Sequence, residues 1–153
     1  MIEAGSQAPD FELDSSQGGR VSLKGLKGKT LVLYFYPRDM TPGCTRQACA
    51  FRDARAQFKK RGAVVLGVSP DSVASHQKFE AAHKLDFPLL SDPDKAVAKK
   101  YGAFGEKLMY GKKVQGMIRS TFVIDVAGMV RKVFPRVRVD GHEAQVLEAL
   151  DAL

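Results

Sequence analysis

The sequence predicts an α/β domain in which a mixed central sheet is flanked by helices on both faces. Two continuously apolar runs, at 30–36 and 63–68, are typical of strands that are buried on both faces. The stretch 42–60 between them predicts a helix, and strand, helix and strand at this spacing form a right-handed βαβ unit. Two later apolar segments, joined at Ala127-Gly128, indicate an antiparallel hairpin.

The rest of the chain supplies peripheral elements. Alternating segments at 11–13 and 21–23 predict an N-terminal β-hairpin. After the βαβ unit we expect, in order, a helix over 72–85, a short edge strand over 88–91, a helix over 94–101, a loop over 102–117 and hairpin strands over 118–126 and 129–134. A last helix begins near Asp140. It presents an apolar stripe that consists of Val146, Leu147, Leu150 and Leu153. A parallel unit followed by an antiparallel hairpin and a final helix is the arrangement of a thioredoxin-like fold.

Length and composition fit a single domain over residues 1–153. Apolar residues make up 44% of the chain and charged residues 27%, which argues against a disordered, collagen-like or membrane protein. The two cysteines are too few for a disulfide-rich secreted scaffold or a four-cysteine zinc site. Residues 1–11 lack the basic start and apolar stretch of a signal peptide, so we expect a cytoplasmic protein without membrane association.

The net charge of +7 is unevenly distributed. Eleven Lys and Arg but only two acidic residues lie in the basic segment, residues 95–138. Such a segment could attract nucleic acid, an acidic protein or an anionic substrate. A solvated basic face is the simpler interpretation, and the absence of an interleaved aromatic pattern argues against nucleic-acid binding.

The chemically informative segment precedes and enters the predicted helix 42–60. Thr41 is a good N-cap and Pro42 suits the first helical position, which places Cys44 at the third. A thiol there faces unpaired backbone N–H groups and the positive end of the helix dipole. Both favour the thiolate, which is the nucleophilic form of cysteine.

The second cysteine, Cys49, follows five residues later on a more polar side of the helix. On an ideal helix the two Cα atoms are about 8.5 Å apart, whereas a disulfide requires less than about 7 Å. A bond between Cys44 and Cys49 would therefore require local unwinding. A structural disulfide, a metal clamp and a pair of inert buried thiols remain as alternatives, although the first-turn position of Cys44 argues against inert thiols.

Pro37, Thr41 and Cys44 match the Pro-x-x-x-Thr-x-x-Cys motif of the peroxiredoxins. The string 41–45, with Ala48-Cys49 and 51–53, resembles the Q-type branch of that family, also called bacterioferritin comigratory protein. Similar segments run along nearly the whole chain, at 8–11, 87–92, 110–113 and 119–125. One difference is Gln47, where the family usually has Glu. We expect Gln47 to leave the nucleophile intact and to alter hydrogen bonding or thiol protonation.

The resemblance implies a thiol peroxidase that reduces hydrogen peroxide and organic hydroperoxides without metal, haem or flavin. Cys44 would become a sulfenic acid, Cys49 would resolve it as an intramolecular disulfide, and thioredoxin or a similar dithiol protein would reduce that disulfide. Thr41 would hydrogen-bond the peroxide or the sulfur, Arg119 would stabilise the thiolate, and Pro37 would shield it from water. One chain can complete this cycle, so the resemblance is compatible with a monomer.

The residues by themselves leave simpler roles open. Thr41 can be only an N-cap, Arg119 a surface ion-pair residue, and Pro37 the end of a strand. A second function is also open, a redox sensor in which the two cysteines signal to a partner instead of turning over. His76, Glu80 and His83 share helical spacing, which we interpret as a polar helix face and not as a metal site.

Overall fold

The computed structural model describes all residues from Met1 to Leu153. The strands are β1 Glu12–Ser15, β2 Arg20–Ser22, β3 Thr30–Phe35, β4 Ala63–Ser69, β5 Leu89–Ser91, β6 Phe104–Met109, β7 Lys112–Met117, β8 Ser120–Ile124 and β9 Val130–Phe134. The helices are α1 Pro42–Asp53, α2 Arg55–Lys60, α3 Val73–His83, α4 Ala96–Tyr101 and α5 His142–Asp151, with a 3₁₀ turn at Lys24–Leu26. No helix is long and apolar enough to cross a bilayer.

Seven strands form one mixed sheet in the order β2-β1-β5-β4-β3-β8-β9. Strands β3, β4 and β5 are parallel, and the other pairings are antiparallel. The predicted βαβ unit and both predicted hairpins are confirmed. The expectation of an edge strand at 88–91 is wrong. Strand β5 is internal because Asp14 and Ser15 of the N-terminal hairpin pair with Ser91 and Leu90.

Strand β3 shows how the sheet separates two hydrophobic clusters. Leu31, Leu33 and Phe35 pack on one face, together with buried residues of α4 and the N-terminal segment. Val32 and Tyr34 point to the opposite face, which is covered by α1, α2, α3 and α5. The apolar run therefore has the burial expected of a central strand, and the predicted mixed sheet with helices on both faces is confirmed.

The predicted helix 42–60 is interrupted at Ala54, which separates α1 from α2. The rings of Phe51 and Phe58 contact each other across this break, with centroids 5.6 Å apart. Both side chains belong to the same hydrophobic cluster as Cys44. The break therefore does not alter which side of the segment faces the core.

The expectation of a loop over 102–117 is wrong, because β6 and β7 form a separate two-stranded hairpin. Its two-residue turn, Tyr110-Gly111, has positive φ at both positions, as a tight hairpin turn requires. Leu153 is a second correction, since α5 ends at Asp151 and the Leu153 side chain is exposed. The other three stripe residues of α5 are buried as predicted.

Candidate active site

Cys44 lies in the first turn of α1, directly beyond the carboxyl end of the central strand β3. Thr41 occupies the N-cap position and Pro42 begins the helix, which places the sulfur at the third helical position. The Cys44 side chain is 2% exposed. No side chain caps this turn, so its first backbone N–H groups have neither an intrahelical nor a capping partner. The helix end therefore offers free donors and a positive potential to the thiol.

Arg119 reaches the same point from the neighbouring strand. It immediately precedes β8, and Ser120 pairs with Phe35 at the end of β3, so the sheet register brings Arg119 to the start of α1. Its Nη2 donates to Cys44 Sγ over 3.3 Å, and its Nη1 donates to Gln47 Oε1 over 2.6 Å. The guanidinium thus bridges two side chains that lie one helical turn apart.

Gly43 makes room for this guanidinium. A Cβ atom on residue 43 would lie 3.3 Å from Arg119 Nη2, which is closer than an ordinary van der Waals contact. Glycine therefore lets the guanidinium lie directly against the first turn of α1. An alanine at this position would push Arg119 away from the sulfur or require the helix to shift.

Thr41 and Pro37 belong to the segment that leads from β3 into α1, and neither forms a hydrogen bond to the thiol. Thr41 Oγ1 donates to the backbone carbonyl of Arg38 over 2.9 Å, and its side chain makes no capping bond to the helix. The expected hydrogen bond from Thr41 to sulfur is thus not formed in this structure. Pro37 is half-buried and lies two residues after the end of β3.

Cys49 lies on the same helix as Cys44 and is half-buried, and both thiols are free. With both residues helical, their Cα atoms have the separation of about 8.5 Å that an ideal helix gives. That separation exceeds the reach of a disulfide, so bond formation requires part of α1 to unwind.

A second buried polar group holds the loop between β3 and α1. We call it the loop cluster, and it consists of Tyr36, Asp39, Asp71, Ser75 and His76. Asp39 Oδ1 accepts from the Tyr36 hydroxyl over 2.6 Å, and Oδ2 lies 2.6 Å from His76 Nδ1 and accepts from Ser75 Oγ over 2.8 Å. The Asp39 backbone N–H donates to Asp71 Oδ2 over 2.8 Å. Side chains from beyond β4 therefore fix the loop that leads to Cys44.

The loop cluster changes the interpretation of His76. The imidazole is buried and not part of a polar helix face, and its Nε2 lies 3.0 Å from the Leu90 carbonyl. Its atoms and those of Asp39 and Asp71 lie within 4.8 Å of one another, a spacing that a metal ion could use. They are already engaged in hydrogen bonds, so the cluster needs no ion to be satisfied. Sequence reasoning missed Asp39, although it lies inside the Pro37–Thr41 string.

Two buried side-chain atoms in this part of the molecule have no hydrogen-bond partner, and they are Tyr34 Oη and Gln47 Nε2. Tyr34 is a core residue of β3, as its place in an apolar strand predicts. Burial raises the pKa of the Tyr34 hydroxyl well above its ordinary value, and Cys44 raises it further. The phenol therefore stays protonated near neutral pH and adds no charge to the site.

The basic segment contributes one further cation to this region. Lys107 of β6 lies across Gly116, where a Cβ atom would come within 2.9 Å of its Cε, and its Nζ donates to the Met117 carbonyl over 2.7 Å. Burial and then the charge of Arg119 lower the pKa of Lys107, while Cys44 opposes this shift. Lys107 is therefore electrostatically coupled to both residues of the site.

Comparison with known proteins gives consistent results along the chain. A family model described as the AhpC/TSA family matches residues 4–133. The protein called putative peroxiredoxin bcp of Coxiella burnetii is 50% identical over 149 residues, which covers 97% of this chain and 99% of that protein. Peroxiredoxin Bcp of Bacillus subtilis is 46% identical over 149 residues, with 97% and 95% covered.

Solved structures agree with these relatives. The bacterioferritin comigratory protein of Xanthomonas campestris superimposes with a TM-score of 0.91 at 42% identity, and the match covers 98% of each chain. That structure was determined to explain the alkyl peroxide reduction activity of the Xanthomonas protein. A Mycobacterium tuberculosis protein, peroxidoxin BcpB, superimposes with a TM-score of 0.88 at 36% identity and covers 100% of this chain and 99% of its own.

Proposed function

From the premise that this chain belongs to the AhpC/TSA family, and within it to the Q-type peroxiredoxins, we propose that it reduces hydrogen peroxide and organic hydroperoxides with Cys44 as nucleophile. The contact between Arg119 Nη2 and Cys44 Sγ, at 3.3 Å, carries this proposal. A guanidinium and an uncapped helix N-terminus both stabilise a thiolate.

The first step is attack of the Cys44 thiolate on the terminal oxygen of the peroxide. An S–O bond forms while the O–O bond breaks, the cysteine becomes a sulfenic acid, and the leaving oxygen takes a proton to depart as water or an alcohol. Arg119 stabilises the negative charge that develops on the leaving oxygen. The Thr41 hydroxyl donates to Arg38 and keeps its lone pairs free to accept from the peroxide O–H. Pro37 restricts the access of water.

The second step uses Cys49. Its sulfur forms an S–S bond with Cys44 and water leaves, after the first turns of α1 have unwound to bring the two sulfurs together. A dithiol protein such as thioredoxin then supplies two electrons through a mixed disulfide and restores both thiols. Both cysteines lie on one helix, so a single chain can complete the cycle, and we assign a monomer. Recycling by a dithiol requires a reducing compartment, for which we assign the cytoplasm.

Peroxide consumption with thioredoxin, thioredoxin reductase and NADPH tests this function. The wild type should turn over, Cys44→Ser should be inactive, and Cys49→Ser should consume one equivalent of peroxide and then stop. Sustained cycling by the Cys49→Ser variant would show that the reductant attacks the sulfenic acid directly. An inactive wild type would contradict the peroxidase. A wild type that is oxidised once and not recycled would support the redox sensor instead.

A further inference from the structure

Gln47 is an uncharged residue that contacts the only cation bonded to the Cys44 sulfur. It lies one turn after Cys44 on α1, its side chain is 2% exposed, and its Oε1 accepts from Arg119 Nη1 over 2.6 Å. A guanidinium has donors only, so the amide oxygen must face Arg119 and the amide nitrogen must face away. The orientation of the Gln47 side chain is therefore fixed by its partner.

Because Gln47 is uncharged, it does not neutralise the positive charge of Arg119. No carboxylate lies within 4.0 Å of the guanidinium, whereas most other arginines with a close partner are paired with an acid. Arg119 or Cys44 shifts the pKa of three neighbouring titratable groups, namely Lys107 of β6, Tyr34 of β3 and His142 of α5. None of these three is an acid near neutral pH. The two side chains that Arg119 contacts are therefore the sulfur of Cys44 and an uncharged amide.

Glutamine at position 47 also costs stability, which would not be expected if the residue had only a structural role. Gln47 Nε2 is buried and has no hydrogen-bond partner. A carboxylate at this position would have carried no unpaired hydrogens and would have bound the guanidinium more strongly. Buried unpaired polar groups in folded proteins are rare, and function is one established reason for them.

We propose that Gln47 is a positioning residue that holds Arg119 against the Cys44 sulfur without neutralising its charge. The proposal rests on the peroxidase function only where it says that the thiolate reacts faster with peroxide. The effect of Gln47 on the thiol itself does not depend on peroxide. A neutral acceptor orients the guanidinium by a hydrogen bond and leaves its charge to stabilise the thiolate. An acidic acceptor would orient it equally well and compete with the sulfur for that charge.

The rate of Cys44 alkylation by iodoacetamide as a function of pH tests this role. All variants carry Cys49→Ser, so that only one thiol reacts. In Gln47→Glu the pH of half-maximal rate should rise by about one unit, the size expected for one added charge at this range. The matched control is Gln57→Glu, which adds the same charge at an exposed position of α2 and should leave that pH unchanged.

Gln47→Met tests the hydrogen bond, because it removes the acceptor without adding charge. Arg119 then loses its fixed orientation, and the pH of half-maximal rate should rise here too. An unchanged pH in either Gln47 variant would overturn the proposal, provided that urea unfolding shows a folded protein. Alkylation needs no peroxide, so this result is independent of whether the wild type proves to be a peroxidase.

Discussion

The two polar clusters near the loop between β3 and α1 differ in how completely their groups are hydrogen-bonded. In the loop cluster both oxygens of Asp39 are engaged, and His76 bonds through both ring nitrogens. The thiol cluster, formed by Cys44, Gln47 and Arg119, has an unpaired Gln47 Nε2, and the hydroxyl of Tyr34, which shares a hydrophobic cluster with Cys44, is unpaired as well. A fully paired cluster is suited to fixing backbone, whereas one with unpaired groups and uncompensated charge is suited to reacting.

The largest expected effect is a loss of folding stability when the loop cluster is disrupted. Asp39→Ala removes the shared acceptor of Tyr36, Ser75 and His76 and leaves all three without it. We expect the free energy of unfolding to fall by about 3–5 kcal/mol, because each buried group that loses its hydrogen-bond partner costs about 1–3 kcal/mol. Urea unfolding monitored by circular dichroism measures this loss.

Tyr34→Phe is the matched control for that variant. It also removes a polar atom from a buried side chain of the same region, but that hydroxyl has no partner to lose. We expect the stability to change by less than about 1 kcal/mol or to rise slightly. If both variants lost the same stability, the difference in pairing between the two clusters would have no energetic meaning.

The next effect separates the clusters by reactivity. Arg119→Met removes the donor to Cys44 Sγ and should slow sulfenic acid formation about 10²–10³-fold, the range measured for loss of one such donor. Arg119→Lys keeps the charge but not the two-pronged geometry and should lie between this variant and the wild type. Stopped-flow kinetics with a single peroxide addition measures the step. The free energy of unfolding should fall by no more than about 1–3 kcal/mol, because Gln47 Oε1 loses its donor. A rate equal to the wild type would remove Arg119 from the mechanism.

The smallest effect concerns the other buried imidazole, His142. Its ring nitrogens bond to the Thr121 hydroxyl and to the amide oxygen of Gln145, and burial lowers the pKa of His142 below its ordinary value near 6.5. The unfolded chain then binds a proton that the folded one does not, so stability should fall as the pH drops below about 6.5. His142→Asn should flatten this dependence in urea unfolding between about pH 7 and pH 5.

The C-terminal end of α3 supplies the control for that measurement. His83 is only half-buried, and His83→Asn should retain the wild-type dependence of stability on pH. If His142→Asn and the wild type lost stability in parallel as the pH fell, the buried imidazole of His142 would not be the source of the effect.

What the sequence predicted follows from the range of the interactions involved. The first-turn position of Cys44 depends on Thr41 and Pro42, which are its near neighbours, and it could be derived from local preferences. The contact of Arg119 with the sulfur joins residues 75 positions apart, and only the family resemblance pointed to it. The partner of His76 is 37 positions away and could not be inferred from its helical spacing.

The fold followed the same rule. Strand β3 was predictable because burial on both faces leaves a continuous apolar run, whereas the β6–β7 hairpin has exposed side chains and glycines that hide its alternation. The Tyr110-Gly111 turn was the signal that could have indicated it. The sequence predicts an edge strand at β5 because a strand of three residues carries no information about which neighbour covers it.

The break at Ala54 bears on how far the structure would open during resolution. Helix α1 carries both cysteines, while α2 begins beyond the break and keeps its own core contact through Phe58. Unwinding that begins at Cys44 can therefore end at Ala54. In amide hydrogen exchange, the disulfide form would lose protection along α1 and retain it in α2. Oxidation would then be detectable as a loss of amide protection in one helix only, while the amides of the central sheet would exchange at the same rate in both redox states.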